Sequence, residues 1–281
     1  MSLKNTYIIT PSWLMKSEKS FSAGLKTLKN LGFGIANPAF PEKLPSDKAK
    51  AEEIHRAFRD KKINFILAQR GGSSSLRILP YIDYALIKKN KKMFAGFSDL
   101  STLLNSIYER TGLVTLHAPM VISLEKPSKL TIRSFVNAAY GFPKKELLYS
   151  SPVKVFKSGR AEGILKGGNL MTLSSLFGTK WELKTENCIL FLEEVDEKLY
   201  EVDRYLSQWI IAGKFKNIKG LLLGNFKGIK PAEVYKIISS QLKIKFPVMY
   251  CGNIGHVKNK LTLPVGAKAE LDTARGALTL K

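Results

Sequence analysis

The chain has 281 residues, 44% of them hydrophobic and 24% charged, which suits a globular protein with one large or two ordinary cores. No apolar run approaches the roughly 20 residues a membrane-spanning helix needs, and the opening MSLKNTYIIT lacks the apolar stretch and small-residue cleavage site of a secretory leader, so a cytoplasmic protein is expected. The formal charge of +22 favours anionic partners, but the lysines are scattered, KKNKK at 88–92 being the one dense cluster, and no zinc-ligand spacing, RNP-like aromatic motif or basic zipper accompanies them.

In chain order, TYIIT at 6–10 predicts a strand, AGLKTLKNLG a helix ending at Gly32, and FGIANP a second strand. SDKAKAEEIHRAFRD at 46–60 predicts a helix starting at Ser46 or Asp47, INFILAQ at 63–69 a strand, and LRILPYIDYALIKK a helix interrupted or begun at Pro80. Strand MFAGF, a helix after Ser98, strand LVTLHA and helix TIRSFVNAAYG follow. This alternation argues a parallel sheet with helices on both faces, in which ligands sit beyond the carboxyl ends of the strands. Two glycine-bearing turns, QRGGSSS at 69–75 and GFSD at 96–99, fall at that edge. The stretch 142–159 reads as a crossing between domains, giving an N-terminal α/β domain over 1–145 and a C-terminal domain over 155–281. The second half offers EGILKGGNLMTLSSLFGT, strand CILFLEE, helix YEVDRYLSQWIIAGKF, strand IKGLLLGNF, helix PAEVYKIISSQL and short strands LTLPVG and ALTLK. Cys188 and Cys251 sit in or beside apolar strands and are expected as buried free thiols.

Ser98 at a strand-to-helix turn is either a helix cap or a nucleophile lifted over the sheet; Leu100 stands where the usual nucleophile elbow has glycine. A nucleophilic serine needs a base, and the chain has three histidines. His55 lies in a charged helix and is expected at the surface; His117 ends an apolar strand, where a structural role is the default; His256 follows a glycine in a loop that can face a cleft. The base needs an orienting acceptor, and Glu193 ends the apolar run CILFLE, although it or Glu194 could equally mark the strand's exit to water. Ser98, Glu193 and His256 thus form a possible triad spread over both halves, with the site between the domains.

Several blocks, GFSDLSTLLNSIYERTGLVTLHAPM, EGILKGGNLMTLSSLFGT, ILFLEEVDEKLYEVDRYLSQWIIAG with IKGLLLGNF, and GHVKNKLTLPVG, together with the early ITPS and the RGG turn, resemble the LD-carboxypeptidases, the S66 serine peptidases also called muramoyltetrapeptide carboxypeptidases. The blocks come in family order over nearly the whole chain. The resemblance implies an α/β fold with a flavodoxin-like N-terminal domain and a smaller, β-rich C-terminal domain, no metal or other cofactor, and a homodimer. It implies Ser98 as nucleophile, Glu193 as triad carboxylate and His256 as base. The implied substrate is a murein tetrapeptide, which loses its terminal D-alanine in cytoplasmic cell-wall recycling. Two blocks depart from the family: Ser73 and Ser74 follow Gly72 where an aromatic and a glycine are usual, and H-G-P-M becomes His117-Ala118-Pro119-Met120.

On this scheme the oxyanion is held by the N–H of Asp99 and of Gly71 or Gly72. Arg70 is the candidate for the substrate carboxylate, with an ion pair between domains as the alternative. Asp99 is alternatively a helix N-terminal charge. Gly167 and Gly168 are expected to offer backbone donors to substrate, and Asn169 either caps the next helix or contacts ligand. A related activity, cleavage of a peptide–nucleotide antibiotic for self-immunity, calls for an aromatic to stack on the base; Trp181 is the candidate, with a core position as its alternative. A non-catalytic binder of nucleic acid or another anionic polymer is the reading of a different class.

Overall fold

The computed structural model describes residues 4–149 and 151–281; residues 1–3, from the predicted N-terminal unit, and residue 150, from the predicted crossing, lie outside it. Strands β1 (Lys4–Ile9), β2 (Phe33–Ile35), β3 (Phe65–Ala68), β4 (Met93–Gly96) and β5 (Thr115–His117) alternate with helices α1 (Glu18–Asn30), α2 (Asp47–Arg59), α3 (Ser75–Ile78), α4 (Tyr84–Lys89) and α5 (Ser101–Thr111). Helix α6 (Lys129–Ala139) then leads to β6 (Val153–Lys157), β7 (Arg160–Asn169), α7 (Leu170–Ser174), β8 (Cys188–Glu194), α8 (Leu199–Ile211), β9 (Gly220–Phe226), α9 (Pro231–Gln241), β10 (Val248–Cys251), β11 (Leu263–Val265), β12 (Lys268–Asp272) and β13 (Ala277–Leu280).

The first sheet runs β11-β5-β4-β3-β1-β2. Its parallel strands have the 2-1-3-4-5 order of flavodoxin-like folds, as expected, whose ligands sit where the order reverses between β1 and β3. The loops after β1 and β3 are ITPSW and QRGG, and the turn after β4 is GFSD. The second sheet runs β13-β12-β7-β8-β9-β10-β6, with β7 to β10 mutually parallel and the outer strands antiparallel. The apolar runs read as strands are those buried on both faces: every residue of β3 and β8 is buried. Ser46 and Ser17 cap α2 and α1 through their side chains.

Two features position the site. Strand β11 leaves the second half of the chain and pairs antiparallel with β5 in the first sheet, Leu263 opposite His117. The segment 252–262 therefore leaves β10 in one sheet and enters β11 in the other, carrying His256 across the seam. Helix α5 packs on β7 across the same seam: Asn105 bonds both main-chain groups of Gly167, and Ser101 Oγ accepts from the N–H of Asn169 at 3.0 Å. A Cβ on Gly168 would lie 2.2 Å from Ser101 Oγ, so only glycine allows this approach. The predicted surface position of His55 is corrected: it is 7% exposed, and its Nε2 accepts from the Asp83 N–H at 2.9 Å at the start of α4. Both cysteines are buried free thiols, and burial pushes Cys188 up to about 12 and Cys251 to about 11. Among the described residues no helix is long and apolar enough to cross a membrane.

Candidate active site

Ser98 is held at φ 65, the left-handed region that non-glycine residues avoid, as the first residue of a 3-10 turn (Ser98–Leu100) leading into α5. It is not the cap of that turn: the N-cap is Phe97, with no side-chain cap bond. Such a conformation costs about 1–2 kcal/mol, and strain of this kind concentrates at functional turns. Leu100 explains how the elbow forms without the usual glycine. Its side chain folds back over Gly96, where a Cβ would meet Leu100 Cδ2 at 2.3 Å, so the glycine stands before the serine instead of after it.

The three sheet-edge loops are tied by hydrogen bonds. Asp99 Oδ2 accepts from Ser12 Oγ at 2.5 Å and from the Ser75 N–H at 2.9 Å, while Ser75 Oγ donates to the Asp99 carbonyl at 2.5 Å. Buried Lys50 donates to Ser74 Oγ at 2.9 Å behind them. The Asp99 side chain is thus a brace between the loops after β1, β3 and β4, and Ser74 and Ser75 of the family-atypical turn belong to that brace. Gly71 runs beside the nucleophile candidate: a Cβ there would lie 3.1 Å from Ser98 Cβ, 3.3 Å from its Oγ and 3.6 Å from the Asp99 nitrogen. Gly72 is pressed against Ser12 and Trp13, each at 2.5 Å from the position of a Cβ. Arg70 donates to the carbonyls of Gly71 and Leu14, both at 3.2 Å, and lies over the Trp13 ring at 5.6 Å. The guanidinium is therefore a feature of the glycine turn itself, and Trp13, 46% exposed, is an aromatic on its rim.

From the second sheet come the acid and the base. Strand β8 and β9 slip register between Leu192 and Glu194, a bulge that re-aims the strand end. Successive strand residues face opposite ways, so the adjacent carboxylates separate. Glu194 accepts from the N–H groups of Met171 and Val195 and from Asn169 Nδ2, each at 2.9 Å. Glu193, fully buried, meets His256 instead: Nδ1 and Oε2 are 2.8 Å apart. Two glycines make room for it. A Cβ on Gly255, at φ 106, would lie 2.5 Å from Glu193 Oε2, and one on Gly224 would lie 3.0 Å from Glu193 Cβ. Burial alone would raise the Glu193 carboxyl, but the hydrogen bond and charge of His256, with the charges of His117 and Lys260, hold it below the ordinary carboxylate range. An ionised Glu193 fixes the proton on His256 Nδ1 and leaves Nε2 as an acceptor. The His256 side chain is 20% exposed, and its ring centroid is 4.8 Å from that of Phe97, the residue before Ser98.

The remaining expectations divide. Asn169 caps α7 through its side chain, accepting from the Thr172 N–H. The expectation that Gly167 offers its N–H to substrate is corrected, since that N–H donates to Asn105 Oδ1 at 3.3 Å; a Cβ on Gly167 would strike the Phe191 backbone of β8, whereas Gly168 makes room for Ser101 of α5. Trp181 is away from this site and closer to its alternative: it is partly buried against the main hydrophobic core and lines a cavity of about 370 Å³ with Tyr84 and Arg110, with Arg110 and Lys180 over its ring. Among the described residues no group of three or more His, Cys, Asp or Glu side chains is gathered to hold a metal.

His117 is fully buried at the end of β5, edge-on to Phe97 at 5.7 Å and Phe191 at 5.2 Å. Burial pushes its imidazole down to about 4, the nearby Glu193 charge opposing and Lys260 and His256 assisting. Its folded value is lowered, so between about 6.5 and 4 the unfolded chain binds the extra proton. Stability rises with pH across that window and is lost as pH falls, by about 3 kcal/mol over the whole of it. Urea unfolding at pH 7 and pH 4.5 is expected to show this loss in the wild type and a flatter dependence in His117→Phe.

Sequence comparison finds the LD-carboxypeptidase N-terminal domain profile over residues 7–118 and the LD-carboxypeptidase C-terminal domain profile over 162–271. The chain is 35% identical over 241 residues to a probable murein peptide carboxypeptidase of Bacillus subtilis, covering 81% of this chain and 75% of that one. It is 27% identical over 296 residues to the microcin C7 self-immunity protein MccF of Escherichia coli, covering 91% and 86%. The structure superposes on that of an MccF-like protein from Bacillus anthracis with a TM-score of 0.88 at 26% identity, covering 100% of this chain and 97% of that one. It shares its fold with MccF in complex with glutamyl sulfamoyl guanosine, with a TM-score of 0.89 at 23% identity and coverage of 100% and 97%.

Proposed function

The chain belongs to the LD-carboxypeptidase family, hydrolases that act on peptides, and on that premise we propose that it is a metal-independent serine carboxypeptidase releasing the terminal D-alanine from murein tetrapeptides in cytoplasmic cell-wall recycling. One observation carries the mechanism: His256, bonded through Nδ1 to a buried carboxylate, lies against the ring of Phe97, the residue before a serine strained at φ 65. The similarity to a probable murein peptide carboxypeptidase of B. subtilis supports the substrate class. The reading places the nucleophile in the unit 1–145 and the acid and base in the unit 155–281, and takes the family's homodimer as the assembly, which sedimentation checks.

His256 Nε2 accepts the Ser98 hydroxyl proton as Ser98 Oγ attacks the carbonyl of the bond between an L-configured centre and D-alanine. The tetrahedral oxyanion lies against the N–H groups of Asp99 and of Gly71 or Gly72, each such donor contributing about 3 kcal/mol. The imidazolium, stabilised by Glu193, protonates the departing D-alanine amine as the C–N bond breaks. Water, deprotonated by the same imidazole, then cleaves the Ser98 ester and regenerates the hydroxyl. Arg70 receives the terminal carboxylate through the N–H groups its main-chain bonds leave over. Incubation of the protein with murein tetrapeptide and a chelator is expected to release D-alanine at the rate seen without chelator; loss of activity that added metal restores would contradict the scheme.

A second reading has its own observation. Trp13 presents an exposed ring against Gly72 with Arg70 over it, a surface on which a nucleobase stacks, and the chain resembles a microcin self-immunity protein. Turnover of an aminoacyl sulfamoyl-adenylate compared with that of murein tetrapeptide separates the two. If the nucleotide is the substrate, Trp13→Ala is expected to raise its KM about tenfold or more, a stacked base contributing roughly 1–3 kcal/mol.

A further inference from the structure

Lys260 lies in the loop that crosses between the sheets, yet it is 4% exposed. An unused lysine in a loop belongs in water, because burying an ammonium costs several kcal/mol unless specific partners offset it. The partners are particular. Lys260 Nζ donates to the Gly255 carbonyl at 2.6 Å, and it lies 3.9 Å from the centroid of the Phe97 ring. Gly255 immediately precedes His256, and Phe97 immediately precedes Ser98. Its own N–H donates to Thr131 Oγ1 of α6 at 2.8 Å, which anchors the base of the side chain.

We propose that Lys260 is a positioning residue: its buried ammonium clamps the loop that carries His256 to the turn that carries Ser98, and supplies a fixed positive charge beside the Glu193–His256 pair. The inference rests on the peptidase reading for its kinetic consequences and on geometry alone for the clamp. Glu193 at the end of β8 and His117 at the end of β5 feel the charge of Lys260, and His256, Lys126 and Lys258 line one cavity with it. Burial brings the amine down to about 8 against the pull of Glu193, so the cation still predominates at neutral pH. A fixed cation there raises the cost of any further positive charge in the site, so its removal is expected to move the acid limb of the rate profile to higher pH.

Lys260→Met keeps an unbranched apolar stem of four heavy atoms and removes the charge and donors; Lys260→Arg keeps charge and donors. The methionine variant is expected to lose about 100-fold in kcat with KM within about threefold, the signature of misplaced groups. Its acid limb is expected about half to one pH unit higher, and amide exchange over 253–258 at least tenfold faster, an opening about 1.4 kcal/mol easier. The arginine variant is expected to restore the acid limb and the slow exchange. Lys260→Met with a lowered thermal midpoint but unchanged kcat, pH profile and exchange would overturn the inference, leaving Lys260 a mere filler. Should Ser98→Ala turn over tetrapeptide like the wild type, the peptidase reading falls, and exchange in the two Lys260 variants still decides whether the clamp exists.

Discussion

Ser98→Ala is expected to lower kcat/KM for murein tetrapeptide by about 10⁵-fold while the fold survives, because loss of the nucleophile removes the covalent route and leaves only binding and oxyanion stabilisation. The effect is large because the neighbouring hydroxyls among the described residues are engaged elsewhere: Ser12 and Ser75 are committed to Asp99, and Ser101 to the Asn169 amide. A companion substitution separates catalysis from stability. Ser98→Gly relieves the left-handed conformation at φ 65, so it is expected to raise unfolding free energy by about 1 kcal/mol while abolishing turnover. Thermal or urea unfolding beside a D-alanine release assay reads both. A capping serine would behave the other way: its loss would cost stability and leave turnover largely intact.

The second large effect is expected for Glu193→Gln, a fall of about 10³–10⁴ in kcat. The amide occupies the same fully buried space beside Gly224 and Gly255, so packing is kept. What changes is the proton. A glutamine NH₂ aimed at His256 Nδ1 donates to it, the ring proton moves to Nε2, and the imidazole can no longer accept from Ser98. The variant also tests the acid sensitivity of the fold. The folded carboxyl of Glu193 is lowered, so its contribution to stability is present above the ordinary carboxyl range and is lost as pH falls through the folded value. The glutamine variant is expected to lack that component in urea unfolding between pH 5 and pH 3, whereas a variant as acid-sensitive as the wild type would contradict an ionised Glu193.

Much of this arrangement is legible in the sequence because it follows local rules. The alternation of short apolar runs with amphipathic segments specifies the parallel sheet, and CILFLEE reads as the buried strand it is. Pattern cannot say which of two adjacent glutamates matters: that depends on strand alternation and on a register slip against β9, a non-local event. The same limit hides the switch of β11 into the first sheet, which carries His256 across the seam. Lys260 is lost in a charge count that treats lysines as solvated, although it is among the most buried cations of the chain. His55 misleads for a related reason, since its charged neighbours mask a buried face that meets the start of α4. Asp99 looks like a first-turn acid suited to the macrodipole, and only the meeting of three loops reveals it as their brace. The strain at Ser98 is invisible before folding because serine is ordinary at any turn.

The central claim is that Ser98 is the nucleophile activated by His256 and Glu193, and covalent capture tests it most directly. A fluorophosphonate is attacked by an activated serine, forming an oxygen–phosphorus bond as fluoride leaves and the hydroxyl proton passes to the imidazole. Mass spectrometry of the digested protein is expected to find one adduct per chain, on the peptide containing Ser98, forming far more slowly in Glu193→Gln. D-alanine release continuing undiminished with Ser98 unlabelled, or with the adduct on another residue, would contradict it.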